Sequence, residues 1–523
     1  MILEALIEQA KTDRICAVDE DGITMSFSEL HARSDALATY FLETLSPKAS
    51  VLLIGDKEND MLTCLFACMK SGRAYVPLTT SVPEKRADFI ARDSDAELII
   101  AFHTDLLYST PLKRQSEKEI GIIIDKRLGN RVHKNHWLKY DEMLALLYTS
   151  GSTGTPKGVI NCLGDLENLL TAPDIYYIGG PGMRVMNNFS YMFSAHMQHV
   201  YRTMTLMGSR MYAVPCEIQK DPGRLVDYYL KVKPDYLGVI ATTCAMLLSD
   251  SRFSQESMPQ LKGVALAGEV CSRKLIGELF DRFPQISVCI QYASTELTTV
   301  AVGNCITKEE FCSIKTDIIP LGRPVPAIEA CLWDENGYEV KDGVKGELVI
   351  LSRRLCDGYW KNTKETDAAF FHLPDGRRGF HTRDLMVRRE GLLYYSGRLD
   401  NRIKIGGNRV ELEEVESAVS SLDIVHQCVV RPMATEDGRV NALIAYITLK
   451  EETQDHLTTV ITIKKALREN LPLYMIPQKI MILPEFKTNT SGKIDRAAIR
   501  MFHEEQMEKV YKRMNEASAV LAK

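Results

Sequence analysis

The stretch Leu147–Val159, LYTSGSTGTPKGV, follows an apolar run and gathers hydroxyls, glycines and one lysine into a single loop. A loop of this composition can surround a polyphosphate. Glycines let the backbone bend and approach closely. Hydroxyls and N–H groups donate hydrogen bonds, and Lys157 brings a mobile positive charge. The same residues also make ordinary surface turns. The loop is not a P-loop, which ends in Gly-Lys-Ser/Thr; here Pro156 precedes Lys157 and Gly158 follows it. Kinase and ordinary NTPase readings therefore lose support.

The loop sits in the first third of 523 residues, too long a chain for one compact core. Hydrophobic content of 45% and charged content of 25% belong to a globular protein. A net charge of −5 carries no nucleic-acid footprint. The start, MILEALIEQAKTDR, lacks the apolar core of a signal peptide. No apolar run is long enough to span a bilayer, so no membrane insertion is expected. The 13 cysteines are scattered and odd in number. Cys64 and Cys68 are spaced as a helical pair, but no second pair accompanies them, and they read as buried small hydrophobes in a reducing, cytoplasmic setting.

Val51–Gly55, Glu97–Ala101, Met143–Tyr148 and Gly238–Ile240 read as short buried strands, with helical patterns such as Met61–Met69 and Glu84–Asp93 between them. That alternation predicts layered α/β architecture. From Ile328 to Tyr395 the pattern changes to short strands with turn signals at Glu335-Asn336-Gly337 and Asp375-Gly376, which predicts a β-rich subdomain. Val410–Ser420 then reads as helix, His426–Arg431 and Asn441–Thr448 as strands, and Lys464–Asn470 as a helix stopped by Leu471-Pro472. The expected division is a large N-terminal core over 1–399, a small mobile C-terminal α/β domain over 400–500 with a hinge at Asp400, and a helical tail over 501–523. In that tail Met501, Met507, Val510, Tyr511 and Met514 share one side, as in a helix capping the small domain.

Read in order, these stretches carry a family signature. Lys70–Leu78 (KSGRAYVPL), Tyr148–Gly158, Tyr292–Glu296 (YASTE), Gly346–Ile350, Gly358–Trp360, Arg383-Asp384, Gly397–Glu416 (GRLDNRIKIGGNRVELEEVE) and Thr488–Arg496 (TNTSGKIDR) follow one another with family-like spacing. The chain thereby resembles the adenylate-forming superfamily, from peptide-synthetase adenylation domains to acyl-CoA ligases. The wording of the last two segments and of Leu471–Pro477 (LPLYMIP) is similar to free-standing amino-acid adenylation domains and D-alanine–carrier-protein ligases.

The resemblance implies a carboxylate–AMP ligase using ATP and Mg²⁺. A carboxylate is a poor acylating agent, because its leaving group is oxide; transfer of AMP makes a mixed anhydride. Positioning, cations and aligned donors do most of that work. By resemblance, Thr149, Ser150, Gly151, Ser152, Thr153, Gly154 and Lys157 hold the β- and γ-phosphates. Tyr292 packs on adenine, which Gly268 and Glu269 border. Thr295 donates to the α-phosphate. Glu296 binds Mg²⁺, as a hard dication prefers. Asp384 accepts from the ribose hydroxyls, and Arg398 assists. Lys493 bridges the substrate carboxylate and the α-phosphate, which would otherwise repel in a dry site. Rotation about Asp400 then exchanges Lys493 for the Gly406-Gly407 loop before thiol attack. Taken singly, Glu296, Asp384 and Lys493 would be ordinary surface residues; their order together favours function.

One departure bears on the substrate. Members that activate amino acids hold the α-ammonium with an Asp beyond the phosphate loop. The corresponding region, Asn187–Gly208, contains no Asp or Glu, and Met192 or Ala195 stands in its place. Burying an ammonium without a counter-charge costs on the order of several kcal/mol. The expected substrate is therefore a small acid without a conventional α-ammonium contact: a branched, hydroxy, keto, aryl or short fatty acid, or a β-amino acid held elsewhere. Met192, Phe193, His196, Ala265, Ala267, Thr299 and Val300 are the expected pocket residues, although a histidine such as His196 or His199 in an apolar stretch is more often packed. Ala293-Ser294 replace the usual residues of their segment, and Arg383 replaces a glycine. The expected acceptor is the phosphopantetheine arm of a carrier protein in trans. The alternatives are CoA, as in an acyl-CoA ligase, a standard amino-acid or D-alanine–carrier-protein ligase, and a non-enzymatic AMP-binding regulator.

Overall fold

The computed structural model describes residues 1–103, 112–150, 155–170, 179–298, 300–316, 319–353, 355–400, 402–435, 439–451, 455–487, 494 and 498–507. Two compact units emerge. One comprises Met1–Val82, Ala87–Thr149 and Lys157–Asp400; the other comprises Pro83–Arg86, Ser150–Pro156 and Asn401–Lys523. No helix among the described residues is long and apolar enough to cross a membrane.

The first unit holds two large sheets. One runs Lys113–Ser116, Ala96–Ala101, Ser50–Ile54, Ala74–Leu78, Met143–Thr149, Lys157–Cys162, all parallel until the last pair. Ser50–Ile54, SVLLI, is buried throughout, as a parallel strand covered on both faces must be. The helix Asn59–Ser71 is buried along its length and stops at Gly72, whose φ of 70° is the left-handed cap only glycine adopts cheaply. The second sheet centres on the parallel strands Arg184–Asn187, Tyr236–Val239, Gly263–Ala267 and Ser287–Ala293, with Val300–Ile306 antiparallel to the last. The expected β-rich part is a separate sheet built on Glu329–Trp333, Lys345–Ser352 and Arg378–Arg389. Both of its turn signals hold: Gly337 and Gly376 sit at φ 82° and 83°.

The second unit corrects the sequence reading in three places. Val410 and Glu411 are not helical. They end a hairpin of Arg402–Ile405 with Asn408–Glu411, and the helix begins at Leu412. Gly406 and Gly407 both take positive φ, the two-residue turn whose twist matches paired strands. The later helix starts already at His456 and runs to Arg468; Asp455 caps it, accepting from Thr458 N at 3.0 Å. A β-branched run hid its first half, and burial of Ile463 and Leu467 overrides that propensity. Residues 498–507 are helical. Ile499 and Met507 pack with Val429, Ile444 and Tyr446, but Met501 is 65% exposed and lies off the buried stripe. Val510, Tyr511 and Met514 lie outside the described residues.

Cys64 and Cys68 are buried free thiols. Cys289 and Cys305 face one another on adjacent antiparallel strands and are joined as a disulfide, a pairing that spacing alone did not announce.

Candidate active site

The phosphate-loop segment joins two antiparallel strands whose last pair is Thr149↔Lys157. Ser150 is buried; Gly151, Ser152, Thr153 and Gly154 lie outside the described residues. Lys157 is 7% exposed, with Nζ 3.2 Å from Glu365 and 4.2 Å from the centre of the Tyr359 ring. Tyr359 comes from the GYW segment, which is stitched to the strand after the loop. Ile160 N donates to Gly358 O at 3.0 Å and Trp360 N to Gly158 O at 2.8 Å. A Cβ on Gly158 would meet Leu146 Cδ1 at 2.8 Å, so a side chain here would have to displace Leu146.

The Tyr359 hydroxyl donates to Glu296 Oε1 at 2.8 Å. Glu296 is fully buried in the short turn Thr295–Leu297, against which the strand Lys157–Cys162 packs. One ring thus joins the expected phosphate cation to the expected metal carboxylate. Around them, Thr149 Oγ1, Ser294 Oγ and Thr298 Oγ1 are buried without a hydrogen-bond partner among the described residues. Such orphaned donors call for an explanation. Thr298 also holds φ at 64°, costly for a β-branched residue and the sort of strain that gathers at working sites.

Asp384 is buried and shared. Tyr292 Oη donates to Oδ2 at 2.6 Å, and Arg398 Nη1 donates to Oδ1. Asp384 N donates to Thr382 Oγ1 at 3.0 Å, which in turn donates to Leu348 O. Arg398 also forks onto Asp400, Nε to Oδ1 at 2.7 Å and Nη2 to Oδ2 at 3.1 Å. Burial would lower the Arg398 pKa, but these carboxylates outweigh it and raise it. Burial first, then the Asp384 charge, pushes the Tyr292 phenol well above its usual range, so it remains a donor. The backbone accounts for a glycine at this position rather than for Arg383. It sits at φ 62°, a conformation glycine takes without cost, and its N–H donates to Glu347 Oε1 at 3.0 Å.

The expected adenine border looks different in detail. Gly268 turns at φ 82° after the strand Gly263–Ala267. The Glu269 carboxylate accepts from Thr242 N at 2.8 Å and so caps the helix Ala241–Leu248, whose own N-cap, Ile240, has no suitable side chain.

The pocket residues divide. Met192 and Phe193 are half-buried, and Ala265 and Ala267 lie two apart on one strand. Val300 is core, among Val159 and Leu297. His196 is a packed histidine. Nε2 lies 2.9 Å from Tyr75 Oη and Nδ1 2.6 Å from Phe193 O, so both nitrogens are engaged. Burial lowers its pKa to about 4, against the Phe193 carbonyl bond. Thr299 and Lys493 lie outside the described residues. Tyr359 and Glu365 were missed as site residues; the GYW motif marked the position of Tyr359 without its role.

A family model described as AMP-binding enzyme matches residues 4–360, and one described as AMP-binding enzyme C-terminal domain matches residues 414–493. The chain is 29% identical over 486 residues to a D-alanine–D-alanyl carrier protein ligase of Bacillus cereus, covering 90% of this chain and 93% of that one. It is 29% identical over 500 residues to the ligase of the same name from Listeria monocytogenes serotype 4b, covering 94% and 96%. Among solved structures, an NRPS protein containing adenylation and PCP domains, bound to a vinylsulfonamide inhibitor, superposes with a TM-score of 0.81 at 22% identity, over 95% of this chain and 83% of that one.

Proposed function

The chain belongs to the AMP-binding enzyme family, and from that membership we propose that it joins a small carboxylic acid to AMP, releases pyrophosphate, and passes the acyl group to the phosphopantetheine thiol of a separate carrier protein. The observation that supports this most is the Lys157–Tyr359–Glu296 arrangement, about which the hydroxyls of Thr149, Ser294 and Thr298 find no partner among the described residues. Hydroxyl donors and a lysine suit phosphate oxygens. Thr295 stands in the same turn as Glu296 and donates to the α-phosphate. Asp384, already an acceptor for two donors, takes the ribose hydroxyls. Tyr292 serves here by orienting Asp384 as well as by lying beside adenine.

The residues fit magnesium held with the nucleotide: Glu296 offers a hard carboxylate oxygen in a buried position. The cation, when bound, neutralises charge on the phosphates. Lys493 neutralises the approach of substrate carboxylate to α-phosphate, and a hinge at Asp400 releases it for thiol transfer with the Gly406-Gly407 turn in its stead. The D-alanyl carrier protein ligases at 29% identity support a carrier protein as acceptor over CoA. Met192 and its neighbours supply no acid for an α-ammonium, so the substrate is an acid without that contact. An acyl-CoA ligase is the second reading, since it needs every one of these residues.

The test is substrate-dependent pyrophosphate release over amino, hydroxy, keto, aryl and fatty acids, followed by acyl transfer to a carrier protein or to CoA. Release with one acid class and transfer to the carrier is expected. Clear preference for ordinary α-amino acids would overturn the substrate reading, and no release with any acid would overturn adenylation itself.

A further inference from the structure

Two buried polar atoms, one on the second sheet and one on a helix packed against it, have no hydrogen-bond partner among the described residues. Asn187, at the end of the strand Arg184–Asn187, is 2% exposed, and its Oδ1 has no partner among the described residues. His199 is 4% exposed, and its Nδ1 has no partner among the described residues. Leaving such groups unsatisfied forfeits their hydration without return. His196 nearby shows how this fold completes a histidine that serves packing alone.

The register brings the two together. Tyr236 pairs with Val185 and Leu237 with Met186 in parallel, so the next position, Gly238, stands beside Asn187. Gly238 pairs with Ala265 on the other side. Register partners in a sheet project to one face, as do residues two apart, which adds Ala267. The His199 ring lies directly over Gly238: a Cβ there would be 2.5 Å from Cε1 and 2.6 Å from Nε2. Phe189 packs edge-on against the ring at 5.1 Å. Gly238 is thus the residue that admits His199 to the face carrying Ala265 and Ala267. His199 itself enters from a π-helix, Gln198–Leu206, a form that recurs at functional sites.

The pair is uncharged. Burial lowers His199 to about 4, with no carboxylate acting on it. An ammonium placed there would meet no counter-charge. A hydroxyl would meet both needs, donating to Asn187 Oδ1 and accepting from Nδ1–H of the neutral imidazole. We propose that Asn187 and His199 bind a hydroxyl group of the substrate, so that the acid activated is a hydroxy acid. This rests on the adenylation reading and sharpens it.

The experiment uses the full chain with ATP and Mg²⁺ and compares short-chain hydroxy acids, substituted at C2 or C3, with the matched deoxy and amino acids by pyrophosphate release. A hydroxy acid is expected to exceed its deoxy partner in kcat/KM by at least about 10-fold, since a site that binds a hydroxyl rejects the analogue lacking it. His199→Phe is expected to bring the two to within about 3-fold by removing the donor. His199→Gln, which retains a donor, keeps part of the preference and covers the case in which the Phe variant does not fold. Equal use of hydroxy and deoxy acids, a preferred amino acid, or an unchanged preference in both variants would overturn the proposal while adenylation stands. No pyrophosphate with any acid would overturn both.

Discussion

The Tyr359 hydroxyl reaches Glu296 Oε1 at 2.8 Å while the Lys157 ammonium rests 4.2 Å from the centre of the same ring. A tyrosine can do both because its face is electron-rich and its tip donates. Holding the carboxylate by one oxygen fixes its rotamer before any ligand arrives.

Tyr359→Phe keeps the ring and removes only the donor. A hydrogen bond to a charged group contributes about 1.5–3 kcal/mol, so pyrophosphate release is expected to fall roughly 10- to 100-fold. Circular dichroism should remain that of the parent. An unaltered rate would mean that Glu296 needs no such positioning.

Asp384→Asn is nearly isosteric but removes the charge that Arg398 and Tyr292 both address. Binding of AMP, followed by calorimetry, is expected to weaken by about 10-fold or more as charge-assisted bonds become neutral ones. Equal affinity would exclude Asp384 from the ribose site.

Lys493→Ala should abolish adenylate formation yet retain thiol transfer from a supplied acyl-adenylate, if the proposed rotation about Asp400 gives the two half-reactions different residues of the small domain. Equal loss of both would defeat the hinge account.

Arg383→Gly should raise stability by about 1 kcal/mol, because glycine takes the φ of 62° without the steric cost that arginine bears. The backbone bond to Glu347 survives the change. The Arg383–Glu347 ion pair, at 4.0 Å on a half-exposed side chain, offsets little. Thermal melting of the two proteins decides it.

His196 should make folding acid-sensitive. Its pKa is about 4 when folded against 6.5 unfolded. The unfolded chain therefore binds the proton first. The stabilisation is complete above pH 6.5 and is lost as pH falls toward 4, with a slope set by one proton. His199 adds a second of the same sign. Denaturant midpoints between pH 7.5 and 4.5 should decline less steeply for His196→Gln than for the parent.

Much of this protein is legible in its residues. Alternating apolar runs and helical patterns predict the layered sheets, because burial against a sheet leaves a period in the sequence. Glycine turns at Gly337 and Gly376 declare themselves for the same local reason. The ordered motifs point to nucleotide chemistry, and the absence of an acid across Asn187–Gly208 is visible without coordinates.

Partner choice at long range is not. That Tyr359 serves Glu296, that Glu269 caps the helix Ala241–Leu248, and that His196 is sealed by Tyr75 while the His199 ring lies over Gly238 depend on which strands lie side by side. Chain periodicity encodes which face of an element is buried. Only packing of distant elements decides which polar atoms, once buried, find one another and which do not.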